Sequence, residues 1–292
     1  MSEQNLAYLL AGISALLWGF AVIPIKAART SGRLGVAVSM ATGTLVMALL
    51  SGASISQLGT LTSRELGLYL LVGAFQFAIG CMLYYMAIHR GSISIAVPIT
   101  RVKIILILFM SVALGMEIFR WSLLWAAMLV FMGGALLGKP SSKADTLERG
   151  GHWRSIALAI GACISWAIGE TLIGLLPDRI PPITSNGMML GCGLVVYALY
   201  AAVSGAWREV LAMPRHDVIC YMGHGLISFS AAYALFVWAM QLSTPPRVVT
   251  ITSTYPLISA LIGWIAYKER FSIRLVIGAI LIIGGVIVLQ FV

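Results

Sequence analysis

Gly115-Met116-Glu117-Ile118-Phe119-Arg120-Trp121 is a short polar turn between two apolar runs, and the chain writes it a second time. The second copy is Tyr267-Lys268-Glu269-Arg270-Phe271-Ser272-Ile273-Arg274, with Glu117 and Phe119 displaced by 152 residues onto Glu269 and Phe271. The same displacement carries Gly73, Phe77, Leu83 and Ala87 onto Gly225, Phe229, Leu235 and Ala239. It also carries Thr100 onto Thr252, Gly35 onto Gly187, and Leu123, Ala127 and Gly133 onto Leu275, Ala279 and Gly285. The first run needs a displacement of 148, which sets Trp18 on Trp166 and leaves the extra residues in the Pro-rich link from Leu176 to Pro182. Single matches between apolar runs carry little. A shared Glu-x-Phe turn at one fixed displacement marks an internal repeat.

The runs on either side of that turn are membrane-spanning in length. Of 292 residues 60% are hydrophobic and only 10% charged, with mean hydropathy +0.97. An ordinary soluble domain has about 25% charged residues. So few cannot cover the surface of a water-soluble globule, and the composition equally excludes disorder. A membrane helix needs about 20 mostly apolar residues. Cutting at charge and turn clusters gives ten runs: 6–26, 34–52, 66–88, 94–115, 120–138, 155–176, 183–205, 218–241, 248–267 and 272–291. The expected fold is therefore an all-α integral membrane protein, with one five-helix repeat over 1–138, a central link at 139–154 and a second repeat over 155–292. The start, Ser2-Glu3-Gln4-Asn5, lacks the basic region of a secretory signal, so the run after it reads as the first span.

Five spans per repeat is an odd number, so the two repeats must sit upside-down relative to each other. Inverted repeats of this kind place a substrate site near the midplane between the halves. The net charge of +9 supports the count independently. Lys26, Arg29, Arg33, Arg90, Lys139, Lys143, Arg149, Arg154, Arg208, Arg215, Lys268, Arg270 and Arg274 follow the odd-numbered spans. Only Arg64, Arg120, Arg179 and Arg247 lie on the other side. Basic loops mark the cytoplasm. The expectation is a bacterial inner-membrane protein with its central loop cytoplasmic and both termini periplasmic. None of this charge calls for nucleic acid.

Trp18-Gly19-Phe20 followed by Lys26, and Tyr255-Pro256, Ala260, Glu269, Phe271, Gly278 and Gly284-Gly285 in the second half, resemble the EamA-type branch of the drug/metabolite transporter superfamily. The resemblance covers essentially the whole chain. It implies a carrier of small metabolites working by alternating access, in a superfamily that exports amino acids, amines and carboxylates and also moves nucleotide sugars and sugar phosphates.

Ionisable groups within spans are costly and usually face a cavity. Arg101 and Lys103 lie inside the fourth span. Two residues apart on a helix, their side chains point about 200° from each other, so one faces a cavity while the other snorkels or pairs. Either offers a cationic anchor for a carboxylate or phosphate. Glu170, in the sixth span one turn after Trp166, is the only acidic residue deep in a span. It pairs with one of those cations, binds a substrate amine, or loads and releases a proton. Gln76 and Tyr84 share a face of the third span, and Ser228 stands at the repeat position of Gln76. Tyr255 stands at the repeat position of Lys103, beside Pro256, which removes a backbone donor. Trp18 and Trp166 form a symmetric pair too deep for an interfacial belt. Trp18, Gln76, Tyr84, Arg101, Lys103, Trp166, Glu170, Ser228 and Tyr255 are the candidate substrate-binding residues, with Glu170 also the candidate for proton coupling. His224 reads as packed.

The expected function is secondary transport of an amino acid or other small carboxylate-bearing metabolite, with export favoured by the resemblance. A phosphate or sugar-phosphate carrier and a lipid flippase are the alternatives. No catalytic or metal motif such as HExxH, GxSxG or a Walker A loop occurs. Cys81, Cys163, Cys192 and Cys220 lie in apolar runs at no metal-ligand spacing, so no cofactor and no metal are expected. The expected partners are the substrate and membrane lipids, in a monomer or homodimer.

Overall fold

A chain crossing hydrocarbon must satisfy its backbone polar groups internally, which leaves helices or closed barrels. The computed structural model describes residues 2–30, 32–90, 99–137, 149–267 and 273–289, and among them there is no strand. The first span is Glu3–Phe20, continued by Val22–Ala27; the second is Gly32–Ser51. The third is Ser63–Val72, Gly73–Ile79 and Gly80–Arg90 in succession, and the fourth contains Lys103–Ala113. The fifth is Trp121–Leu137, the sixth Arg149–Ile173 and the seventh Pro182–Ser204. The eighth is Arg215–His224, Gly225–Ala232 and Tyr233–Leu242; the ninth is Pro245–Thr252 and Tyr255–Tyr267; the tenth is Ile273–Leu289. The order is the one read from sequence, with shifted ends. The sixth helix begins at Arg149, inside the 139–154 link. The rest of that link up to residue 148, and the Glu269-x-Phe271 turn, lie outside the described residues.

Local chemistry sets several of these ends. Thr62 accepts a hydrogen bond from the Glu65 backbone N–H while the Glu65 carboxylate accepts one from the Thr62 N–H, a reciprocal cap that starts the third span. Pro182 begins the seventh, where its missing N–H is no loss. Gly205, at φ 74°, stops it in a left-handed turn that disfavours a Cβ.

Packing repeats across the two halves. The third span packs on the sixth as the first packs on the eighth, and the fourth on the sixth as the first on the ninth. The third meets the seventh as the second meets the eighth. Second with seventh, and fifth with tenth, are self-paired contacts on the symmetry axis. Exchanging the halves leaves this pattern unchanged, as a two-fold relation between odd-numbered repeats requires.

The irregular segments repeat as well. Gly73–Ile79 and Gly225–Ala232 are both π-helical, and they occupy the same repeat position. A π turn carries one extra residue and loosens the carbonyl ladder, so other helices must supply donors. In the third span Phe75 O accepts from the Ser165 hydroxyl at 2.7 Å, and Gln76 O from the Trp166 indole N–H at 3.0 Å. In the eighth, Asn186 donates to Phe229 O at 2.9 Å and Ser14 to Ala232 O at 3.0 Å. The fourth and ninth spans break at matching positions too. Val102 N–H bonds to Ile99 O and Ile105 N–H to Val102 O; their repeat mates Thr254 and Leu257 make the same bonds to Ile251 O and Thr254 O. Helix resumes at Lys103 in one half and at Tyr255 in the other.

Candidate functional site

Those matched irregularities surround one cavity of about 230 Å³, lined from the first, third, fourth, sixth, eighth and ninth spans. Repeat mates line it together: Trp18 with Trp166, Gln76 with Ser228, Lys103 with Tyr255. The cavity therefore takes matched wall positions from both halves of the repeat. Ile25, near the end of the first span, and His224, near the start of the eighth, line it, so it is displaced toward the face where the first span ends and the eighth begins.

On the opposite face, side-chain bonds link spans of the two halves. Arg179 grips Glu65 with both Nη atoms at 2.7 Å, and Gln241 donates to Ile180 O at 2.9 Å. Arg247 donates from Nε to Glu117 at 2.8 Å and from Nη2 at 3.3 Å, and Thr244 donates to the same carboxylate. Burial alone would push the Glu117 carboxyl up. The bonds from Arg247 and Thr244 outweigh it and hold the group below the ordinary carboxylate value.

Eight of the nine sequence-predicted residues line the cavity: Trp18, Gln76, Tyr84, Lys103, Trp166, Glu170, Ser228 and Tyr255. Arg101 lies behind Tyr255, 4% exposed, with its Nη2 donating to the Tyr255 hydroxyl at 2.5 Å. The two cations of the fourth span thus part as their spacing demands, Lys103 inward and Arg101 toward the ninth span. Lys103 Nζ lies 2.5 Å from Glu170 Oε1 and 5.3 Å from the Trp166 ring centroid. Gln76 Nε2 donates to the Tyr233 hydroxyl at 2.7 Å and to Glu170 Oε1 at 3.3 Å, joining the third, sixth and eighth spans. Two acceptors on this wall, Glu170 Oε2 and Gln76 Oε1, are buried with no hydrogen-bond partner. Their residues are 2% and 1% exposed.

Aromatic rings complete the walls. Trp18 meets Tyr233 at 4.9 Å and Tyr255 at 6.2 Å between centroids; Trp166 meets Tyr84 at 5.0 Å, and Tyr84 meets Tyr85 at 5.7 Å. Tyr85, Phe229, Tyr233, Cys81 and Ser259 line the cavity without having been singled out by sequence. His224, read as packed, is both packed and a lining residue. The Ser39 hydroxyl gives its one proton to Tyr221 O at 2.9 Å, so at 3.0 Å His224 Nδ1 must be the donor to it. Thr250 and Thr252 bond back to their own helix, to Pro246 O and Val249 O, and contribute no hydroxyl to the cavity.

Comparison with known proteins agrees with this architecture. The sequence profile of the EamA-like transporter family matches twice, over residues 5–138 and 153–291. An uncharacterized transporter of Archaeoglobus fulgidus is 27% identical over 234 residues, covering 79% of this chain and 78% of the relative. A solved crystal structure, described only as that of a protein, superposes with a TM-score of 0.79 over 98% of this chain and 96% of its own, at 17% identity. That likeness is one of fold.

Proposed function

The chain belongs to the EamA-like transporter family, a multi-pass membrane protein that transports some small substrate, and from that premise we propose that its substrate carries both a carboxylate and an amine. The observation behind this is the Lys103–Glu170 pair on the cavity wall, with Glu170 Oε2 and Gln76 Oε1 unpartnered beside it. Empty, the site is electrically satisfied, because each charge cancels the other. A zwitterion entering between them keeps that balance: its carboxylate takes Lys103, and its ammonium takes the Glu170 carboxylate. A simple anion would leave Glu170 as an uncompensated buried carboxylate, and a simple amine would strand Lys103. Either is expensive in a low-dielectric site. The same charge balance disfavours the sugar-phosphate alternative. The walls of Trp18, Tyr84, Trp166 and Tyr255 suit an apolar side chain, with Ser228 a polar contact opposite Gln76. An amino acid with an apolar side chain is the reading that fits.

Movement is by alternating access about the pseudo-two-fold axis. The basic face is cytoplasmic and both termini lie outside, so the cavity is displaced toward the cytoplasm, as an exporter loading its cargo requires. Reporter fusions at each terminus check the orientation. Glu170 is also the group through which a proton gradient would act. Transport that keeps its dependence on a pH gradient in Glu170→Gln removes that role.

The substrate reading is tested by thermal unfolding of the purified protein with each standard amino acid and with its des-amino and decarboxylated analogues. A ligand that binds only the native state raises the melting temperature. The expected result is a shift with one or more intact amino acids and none with the matched monovalent analogues. A shift of equal size with the decarboxylated amine would refute the reading.

A further inference from the structure

Arg101 is a buried cation that the exchange of charges between Lys103 and Glu170 leaves unused. No ion pair to it is found among the described residues, and its Nε has no partner. Its stem runs past Gly134 of the fifth span, 3.7 Å from where a Cβ would sit there. Its head reaches the ninth span, where the guanidinium carbon lies 4.3 Å from the Tyr255 ring centroid and Nη2 donates to the hydroxyl.

The direction of that hydrogen bond decides what Tyr255 can do. A guanidinium has donors only, so the Tyr255 oxygen is the acceptor and its own proton is turned away from Arg101. Tyr255 lines the cavity, and it is the repeat mate of Lys103 across the two-fold axis. A hydrogen bond from a cation to the phenol oxygen draws electron density from the O–H and strengthens it as a donor. The charge of Arg101 is thereby felt in the cavity without its guanidinium leaving the buried site.

We propose that Arg101 is a positioning residue that acts through Tyr255, turning the Tyr255 hydroxyl into a charge-assisted donor that grips the substrate carboxylate opposite Lys103. This rests on the zwitterion reading above and adds to it a second carboxylate contact, one on each side of the symmetry axis. It also accounts for two cations in the fourth span: Lys103 touches the carboxylate and Arg101 charges the hydroxyl that faces it.

The test compares binding of each standard amino acid with that of its neutral-ended carboxamide, in wild type, Tyr255→Phe, Arg101→Gln, Arg101→Lys and the Arg101→Gln/Tyr255→Phe double variant. The expected result is a wild-type preference for the acid over the amide that falls about tenfold in Tyr255→Phe and in Arg101→Gln, the weight of a charge-assisted hydrogen bond. The double variant loses no more than either single variant, because both remove one device. Arg101→Lys recovers part of the preference by supplying charge without the planar fork. A merely structural Arg101 would weaken acid and amide equally, and its loss would add to that of Tyr255→Phe; either result overturns the proposal. If Arg101→Gln does not fold, Tyr255→Phe with an unchanged acid-to-amide ratio is sufficient to overturn it. A wild type that prefers no amino acid to its amide defeats the zwitterion reading itself, whereas a wild-type preference that survives both variants defeats only the coupled role of Arg101 and Tyr255.

Discussion

Lys103 and Glu170 show how a charge becomes acceptable at membrane depth. Glu170 has a side chain 3% exposed and Lys103 one 13% exposed, so Glu170 has no bulk water to fall back on and Lys103 only what the cavity admits. Removing one partner leaves the other alone in a poorly polarisable site. Breaking a fully buried pair costs about 3–5 kcal/mol; because Lys103 meets the cavity, a smaller loss of about 1–3 kcal/mol is expected for Lys103→Met or Glu170→Gln alone. The Lys103→Met/Glu170→Leu double variant removes both charges and should unfold at a higher temperature than Lys103→Met. Thermal unfolding in detergent checks the order, and a double variant that sums the two single losses would contradict the pairing. Both residues were legible in the sequence, since ionisable groups are so rare within these spans. Which cation would meet Glu170 was not. Spacing showed that Arg101 and Lys103 diverge, but the turn at Val102 and the packing of the sixth span decide which of them faces inward.

At the scale of the element, the paired π turns shape the cavity walls. Gly73 and Gly225 begin them, and both are pressed against backbone of another helix. A Cβ on Gly73 would sit 2.5 Å from Gly193 N and 2.6 Å from Met189 O; one on Gly225 would sit 2.6 Å from Ser39 O. Backbone of a packed helix cannot step aside as a side-chain tip can. Gly73→Ala and Gly225→Ala should each destabilise the protein by about 1–3 kcal/mol, as overpacking does. Gly67, in the same span as Gly73, has open space where a methyl would point, with nothing beyond its own helix turn within 4 Å. Gly67→Ala should instead be neutral or stabilise by about 0.5–1 kcal/mol through helix propensity. Melting temperatures of the three variants settle the contrast. The extra residue of each π turn also explains which lining residues the sequence concealed. A regular helix places Gln76, Gly80 and Tyr84 on one face. The bulge slips that register, so Cys81 and Tyr85 join Gln76 and Tyr84 at the cavity, and their neighbours by repeat bring in Phe229 and Tyr233.

At the scale of the whole molecule, the Glu-x-Phe turn that revealed the duplication also supplies a cluster of bonds across one face. The repeat, the span order and the inversion were readable because hydropathy acts over the entire chain and the 152-residue displacement over every span after the first. That cluster was not, because it depends on Thr244 and Arg247 arriving at Glu117 from the far end of the sequence. In the proposed alternating-access cycle, opening the cavity to that face would require this cluster to part. Glu117→Gln, which removes the charge while keeping the shape, should therefore raise access from that side. Cys81 lines the cavity and serves as the reporter once Cys163, Cys192 and Cys220 are replaced by alanine. An impermeant thiol reagent applied from the Glu117 face should label Cys81 several-fold faster in Glu117→Gln than in the parent. The pH dependence follows from the lowered pKa of Glu117. A carboxyl with a depressed folded-state pKa keeps its full stabilisation above the unfolded value and loses it only as the pH falls through the folded one. The difference between parent and variant should consequently persist from about pH 8 to about pH 5, since the ordinary glutamate value is about 4.3 and Glu117 lies below it. Equal labelling of parent and Glu117→Gln from that face, at equal melting temperature, would show that some other contact bars the way. Closure that relaxes already near neutral pH would show that Glu117 is not the group holding it.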